Sequence, residues 1–377
     1  MIRGNEKEFN LNEKQIKEKE LTMTCCNEAE FNLNEKQIKK LEKKNKERRT
    51  LLKGMAAGAA IATSGFGASS VFAANTKLKL AFCGQLLCVI PYEVTRGQGH
   101  FADQGLDVEL VYTRGGGNAL KALIGGAVDY AGTSLDAVLQ ATKKGAKITR
   151  FASTGRLPLF ALAVSPKQKN NIKSIKDLEG KVVGVSKIGN SDHALLLYLL
   201  SEAKADFKKV SFAALGPNLF DTLRLGQVDA GMVQEPALTL IKNAGGVELV
   251  NFMNIDQAKQ YLGGAYEFMG VSIRAEERDQ RLQEMKKISI ALKNGLKDVR
   301  TMSPEKIFAS LPKNLIAGAN IPQLYKILTT YRGSLYPEEV KINMRAVERV
   351  EKAHIKANIL KPGAVDLNLL MDKSING

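Results

Sequence analysis

A chain of 377 residues exceeds one average domain, and 44% hydrophobic against 25% charged residues is the balance of a globular protein able to bury a large core. Lys and Arg number 55 against 39 Asp and Glu, a net charge of +16 that raises the local concentration of anionic partners. The charges after residue 75 are scattered, with no aromatic residues interleaved among basic ones, which argues against nucleic-acid binding, and that part holds no apolar run long enough to span a membrane.

Residues 1–46 are rich in Lys, Glu and Asn and carry one ten-residue stretch twice, Glu8–Lys17 and Glu30–Lys39. Two copies are too few for a solenoid, and so polar a segment cannot offset its chain entropy, so a flexible or loosely helical extension is expected. The next segment, Glu47-Arg48-Arg49-Thr50-Leu51-Leu52-Lys53, resembles the twin-arginine export motif and precedes an apolar, small-residue run from Gly54 to Phe72. Val71-Phe72-Ala73 fits the narrow pockets of a signal peptidase, so cleavage after Ala73 and a periplasmic mature protein are expected. Ala74, where a lipid anchor would need cysteine, points to a free rather than tethered product. Of four cysteines, Cys25 and Cys26 fall in this leader, and Cys83 and Cys88 alone make no disulfide framework. They either bridge in an oxidising compartment or simply pack.

From Leu78 short apolar runs alternate with helical patterns. Strand Leu78–Phe82, helix Tyr92–Gln104, strand Asp107–Tyr112, helix Asn118–Gly125, strand Tyr130–Gly132, helix Leu135–Lys144 and strand Ile148–Ser153 give the rhythm of a sheet covered by helices. Phe160–Ser165 begins a crossing segment. A second series follows: strand Lys181–Ser186, helix Ser191–Glu202, strand Lys209–Ala213, helix Asn218–Leu225, strand Ala230–Val233 and helix Ala237–Ala244. Two series in the same order, separated by residues 166–180 and followed by Phe268–Ile273, predict two α/β lobes joined by two crossing strands, with a pocket between them. The expected division is a leader over 1–73, a first lobe from 75–165 with 270–377, and a second lobe over 166–269. Residues 275–358 read as mainly helical, with Ile288, Ala291 and Leu292 at helical spacing, and are expected to pack back on the first lobe.

The stretch Gly99-His100-Phe101-Ala102-Asp103-Gln104-Gly105-Leu106-Asp107-Val108, with Ala119-Leu120, Gly126-Ala127-Val128-Asp129-Tyr130 and Thr133, resembles the nitrate, sulfonate and taurine binding-protein family, which also takes in thiamine-pyrimidine-precursor proteins. Ile175-Lys176-Asp177-Leu178-Glu179-Gly180 through Val185, then Gly226-Gln227-Val228-Asp229-Ala230 and Glu235-Pro236, stand in the order that family shows. The resemblance covers residues 77–280 and implies a periplasmic-binding-protein type II-like fold that closes on a small anionic solute and docks to a membrane permease with its ATPase. A monomer is expected. One departure bears on the pocket: many relatives have Trp before Glu-Pro, whereas Gln234 stands here and the chain has no Trp.

Arg114-Gly115-Gly116-Gly117-Asn118 joins a strand to a helix, so backbone amides at a helix start can face negative charge unobstructed, or the stretch is only a glycine-rich turn. Ile188-Gly189-Asn190-Ser191-Asp192-His193 holds the equivalent place in the second series, with Asn190 or Ser191 able to cap the next helix. His193 is either a ligand contact or a packed first-turn residue. Gln85 follows the first strand, where relatives place a ligand contact, and Thr133-Ser134 opens another helix. Arg156 either pairs with an oxyanion or makes a salt bridge. Glu235 either meets a ligand amine or belongs to the helix start before Pro236. Tyr266 is expected to cover the cleft near the return crossing. His100, His193 and His354 lack metal spacing and Cys83 has no evident base, so no catalytic group, metal or cofactor is expected. The expected activity is solute capture by hinge closure for an ABC importer. The rivals are a thiamine-precursor enzyme or pyrimidine-binding protein of the same fold, and a periplasmic sensor subunit.

Overall fold

The computed structural model describes residues 75–376. The expected repeat, paired arginines and cleavage site lie outside these residues. Strand β1 (Thr76–Cys83) is buried continuously from Leu80 onward, as a strand covered on both faces requires. It leads into α1 (Leu86–Gly97), α2 (His100–Asp103), β2 (Leu106–Thr113), α3 (Gly116–Ile124), β3 (Tyr130–Ser134), α4 (Leu135–Lys143) and β4 (Ile148–Gly155). The first helix starts six residues earlier than its apolar spacing suggested, because Leu87, Cys88, Val89 and Ile90 are all buried and hide its period.

The second series runs through β5 (Ala161–Val164), β6 (Val182–Val185), α5 (Ser191–Glu202), β7 (Ser211–Ala214), α6 (Leu219–Arg224), β8 (Ala230–Val233), α7 (Ala237–Asn243), β9 (Val247–Asn251) and α8 (Ile255–Leu262). Strand β10 (Met269–Arg274) then precedes helices α9 (Leu282–Thr301), α10 (Pro304–Ala309), α11 (Ile321–Leu335), α12 (Met344–Lys356) and α13 (Leu367–Leu370).

Two five-stranded sheets result, in the orders β2-β1-β3-β10-β4 and β7-β6-β8-β5-β9. In each, three parallel strands are followed by one antiparallel strand that the chain delivers from the other lobe. Because β5 pairs with β8 and β9, it belongs to the second sheet. The first crossing therefore falls at residues 156–160, ahead of the boundary expected at 166. The return crossing ends at β10. The two crossings run side by side: Tyr266 N donates to Arg156 O at 2.9 Å, and Phe268 N donates to Gly155 O at 3.0 Å. Phe160 meets Phe268 edge-on, with centroids 5.9 Å apart.

A buried ion pair anchors this joint. Arg150 on β4 is fully buried and donates to Thr133 O at 2.9 Å, Phe268 O at 3.1 Å and Glu267 Oε1 at 3.2 Å, so one guanidinium ties β3, β4 and the return crossing together. Gly270 leaves it room: a Cβ there would lie 2.3 Å from the guanidinium.

Of the C-terminal helices, α9 lies across α1 in the first lobe so closely that a Cβ on Gly295 would meet Thr95 Oγ1 at 1.9 Å. They also reach the second lobe, since α12 packs against α5 and Tyr331 on α11 accepts from Asn251 Nδ2 at 3.0 Å. Among the described residues no helix is long and apolar enough to cross a membrane.

Candidate functional site

The two sheets bring their loop ends together where α3, α4 and α5 begin. At the first of these, Gly115 has φ +78°, a conformation that side chains disfavour. Gly116 lies so close to Thr133 that a Cβ would sit 2.2 Å from Thr133 Oγ1. Gly117 by contrast faces open space, with nothing within 4 Å of the position its Cβ would take. Asn118 N donates to Gly115 O at 3.2 Å, but no helical carbonyl answers the amides of Gly116 and Gly117, and the first turn of α3 holds no acidic residue to meet its positive end. Thr133 Oγ1, fully buried against this turn, has no hydrogen-bond partner. Asn118 turns outward and donates to Arg114 O at 2.8 Å.

Ser134 caps α4, its Oγ accepting from Ala137 N at 3.3 Å. The same oxygen lies 2.8 Å from Ser191 Oγ, the first residue of α5 in the other lobe. The starts of α3, α4 and α5 thus meet: Gly116 abuts Thr133 and Ser134, and Ser134 touches Ser191. Gly189, at φ +87°, stands beside Gln140 of the first lobe.

The second-lobe turn is largely self-satisfied. Asn190 occupies the cap position of α5, but its side chain donates to Ser186 Oγ at 3.0 Å rather than capping. Buried Asp192 accepts from the Ser186 amide and hydroxyl, and burial pushes its pKa up against the pull of those bonds. That carboxyl already answers the start of α5, which makes the α3 turn the stronger anion site. His193 accepts from Gly189 N through Nδ1 at 3.2 Å and meets Phe212 edge-on. Partial burial pushes its pKa down, which keeps the ring neutral and able to accept.

Two expected contacts, those of Arg156 and Tyr266, are corrected. Arg156 neither faces the crevice as an anion clamp nor forms a salt bridge: Nε donates to Ser334 O at 2.9 Å and Nη2 to Gly333 O at 2.5 Å, answering orphan carbonyls at the end of α11. Tyr266 does not cover the cleft; it is buried and donates to Asp136 Oδ1 at 2.8 Å. Glu235 accepts from Thr239 N and Oγ1, both at 3.0 Å, the bonding that its helix-start alternative calls for.

Gln85 stays exposed at the head of α1, its carbonyl accepting from Cys88 and Val89. Beyond it a small apolar recess is lined by Leu87, Cys88, Pro91, Leu159, Met269 and Tyr336. Met269 pairs with Ser134 in the sheet, which sets the recess beside the crevice.

The family model described as NMT1/THI5 like matches residues 89–305. The chain belongs to the NMT1/THI5-like family. The matched span holds the α3 turn, Thr133, Ser134, the α5 turn and Glu235, and leaves Gln85 outside. A Haemophilus influenzae protein named for thiamine biosynthesis is 31% identical over 137 residues, 36% of this chain; the chain spans 43% of that relative's length.

Solved structures share the fold of this NMT1/THI5-like chain. A protein from Bordetella bronchiseptica RB50 matches with a TM-score of 0.71 at 22% identity, over 80% of this chain and 96% of the other. The periplasmic aliphatic sulphonate binding protein of Escherichia coli gives 0.62 at 18%, over 78% and 97%. The periplasmic nitrate-binding protein of Synechocystis PCC 6803 gives 0.63 at 13%, over 80% and 87%. The fold is that of periplasmic binding proteins, two α/β lobes on a double crossing.

Sequence reasoning missed the Ser134–Ser191 contact and the Ser186–Asp192 pair. A serine opening the helix in each series was the available signal for the first.

Proposed function

We propose that this chain is the solute-binding component of an ABC importer, which holds a small organic anion between its lobes and releases it unchanged. The observation that carries this reading is the convergence of the α3 and α5 starts on the Ser134–Ser191 contact, with the buried Thr133 hydroxyl unpartnered against Gly116. The amides of Gly116 and Gly117, at a helix start that holds no acidic residue, suit an oxyanion such as a sulfonate or carboxylate. Closure brings the second lobe, through Ser191 and Gly189, onto a solute first held by the α3 turn. The twin-arginine-like leader fits export to the periplasm with cleavage after Ala73, and a permease and its ATPase in the inner membrane are the matching partners for a monomeric carrier.

A second reading, a pyrimidine-binding protein or enzyme of thiamine-precursor metabolism, draws on the family description and the Haemophilus relative. Thermal unfolding with a panel of taurine, alkyl and aryl sulfonates, nitrate, carboxylates and uncharged aminopyrimidines separates the two. The proposed role predicts a concentration-dependent rise in melting temperature with at least one sulfonate or carboxylate, since a ligand at a hundred times its Kd adds about 2.7 kcal/mol. Stabilisation by the pyrimidines alone would favour the second reading.

A further inference from the structure

We propose that the outer end of the second lobe is a membrane-facing surface that holds the chain against a bilayer of anionic phospholipid. Residues 166–181, which lead into β6, hold five lysines against two acids, and residues 203–210, which lead into β7, hold three against one. The fold gathers the two segments on one surface. Strands β6 and β7 run parallel, with Val182 beside Ser211, so both connections meet at the same end of the sheet. Gly180 N donates to Lys209 O, Ser211 N to Lys181 O and Asp206 N to Glu179 Oε1, each at 2.9 Å. The crevice lies at the other end of this sheet, where β6 runs out into the turn that carries Gly189 and Ser191. The lysines are thus placed for something other than the solute.

Their charge is left for an outside partner. Lys169, Lys173, Lys176, Lys204, Lys208 and Lys209 are all exposed. Among the described residues Lys209 alone of the eight pairs with a carboxylate, Glu179 at 3.7 Å. The other two acids are turned to the backbone: Asp177 accepts from Lys173 N at 2.9 Å and Ser174 N at 2.8 Å, and Asp206 from Lys208 N at 3.0 Å. Phe207 and Val182, each 37% exposed, stand at this same end. A bilayer fits that mixture, since apolar side chains enter its interface while lysines lie along it with their ammonium groups among the headgroup phosphates. Nucleic acid fits it less well: neither segment contains an arginine for bidentate contacts, and Phe207 is the only aromatic residue in either to stack on a base. Each lysine in the field of an anionic surface is worth about a fivefold gain in binding, so a surplus of lysines attracts strongly where one alone would not. The surface keeps the chain at a membrane without engaging the crevice.

Lysine acetylation of the full chain, read residue by residue by mass spectrometry, tests this with vesicles of mixed phosphatidylglycerol and phosphatidylcholine. Reading each lysine separately keeps binding through residues 1–74 apart from binding through the second lobe. Lys169, Lys173, Lys176 and Lys208 are expected to react about fivefold more slowly on these vesicles and at an unchanged rate on pure phosphatidylcholine. Exposed Lys286 and Lys326, on α9 and α11, should react alike throughout. High salt should remove the protection. In the triple variant Lys173→Glu, Lys176→Glu, Lys208→Glu, the remaining Lys169 and Lys209 should lose it too, with the melting temperature and its rise on adding the anionic solute both unchanged. Equal acetylation of the second-lobe lysines with and without anionic vesicles, or equal protection by pure phosphatidylcholine, would overturn the proposal. Protection by a short DNA duplex but not by vesicles would overturn it in favour of nucleic acid.

Discussion

Gly117→Asp is expected to weaken binding of the anionic solute by roughly a hundredfold or more, about 3 kcal/mol, while leaving the fold intact. The separation of effects follows from the position. Gly117 has an ordinary negative φ and nothing within 4 Å of its missing Cβ, so the backbone accepts a side chain without strain. An aspartate in the first turn of α3 would even favour the helix, because its carboxylate answers the free amides and the positive end of the dipole. Those same donors are the ones assigned to the solute, and the new charge repels a second anion at close range. Titration calorimetry with the stabilising anion, beside a circular dichroism melt, reads both effects. Unchanged affinity would remove the α3 turn from the site. Gly116→Ala is the contrasting variant: its Cβ would press on Thr133 Oγ1 and disturb the turn itself.

Arg150→Ala is expected to cost about 3–5 kcal/mol of stability, because removing one partner of a buried pair strands the other. Arg150 is fully buried, and Glu267, to which it donates, is 2% exposed. Three backbone carbonyl contacts, Thr133, Phe268 and Gly270, lose their donor at the same time. Burial already pushes the Glu267 pKa above its ordinary 4.5, with Arg150 opposing that rise. Without the guanidinium the carboxyl holds its proton more tightly still. A carboxyl with a raised native pKa binds more protons folded than unfolded between the two values, so stability falls as pH rises through that window. The deficit of the variant should therefore grow as pH is raised from 4.5, as measured by urea unfolding midpoints. The double variant with Glu267→Gln should recover part of the loss. No recovery would assign the cost to packing rather than to a stranded charge.

The lobes were legible because the pattern of apolar runs repeats in order, and a repeated order of strands leaves few topologies to choose from. The placement of β5 was not. Its four residues, Ala161–Val164, are equally apolar whichever sheet receives them, and partner choice is set by residues far away in sequence. The glycine turns were readable as helix starts, since the run Gly115–Gly117 and the positive φ of Gly189 are local properties. Arg156 and Tyr266 were misread for one shared reason. A long polar side chain takes the partner that the tertiary fold offers, here the carbonyl ends of α11 and the buried Asp136, and neither partner is visible near it in the chain. Glu235 followed its local signal instead, since Thr239 lies one helical turn away.

The most direct measurement is native mass spectrometry of the chain isolated with its natural solute or loaded with the stabilising anion. The account predicts a one-to-one complex whose added mass is a single small anion, released on denaturation with its mass unchanged. A released molecule altered in mass would contradict it by making the crevice a reaction site, and a complex formed only with an uncharged pyrimidine would contradict the anion cradle on which the account stands.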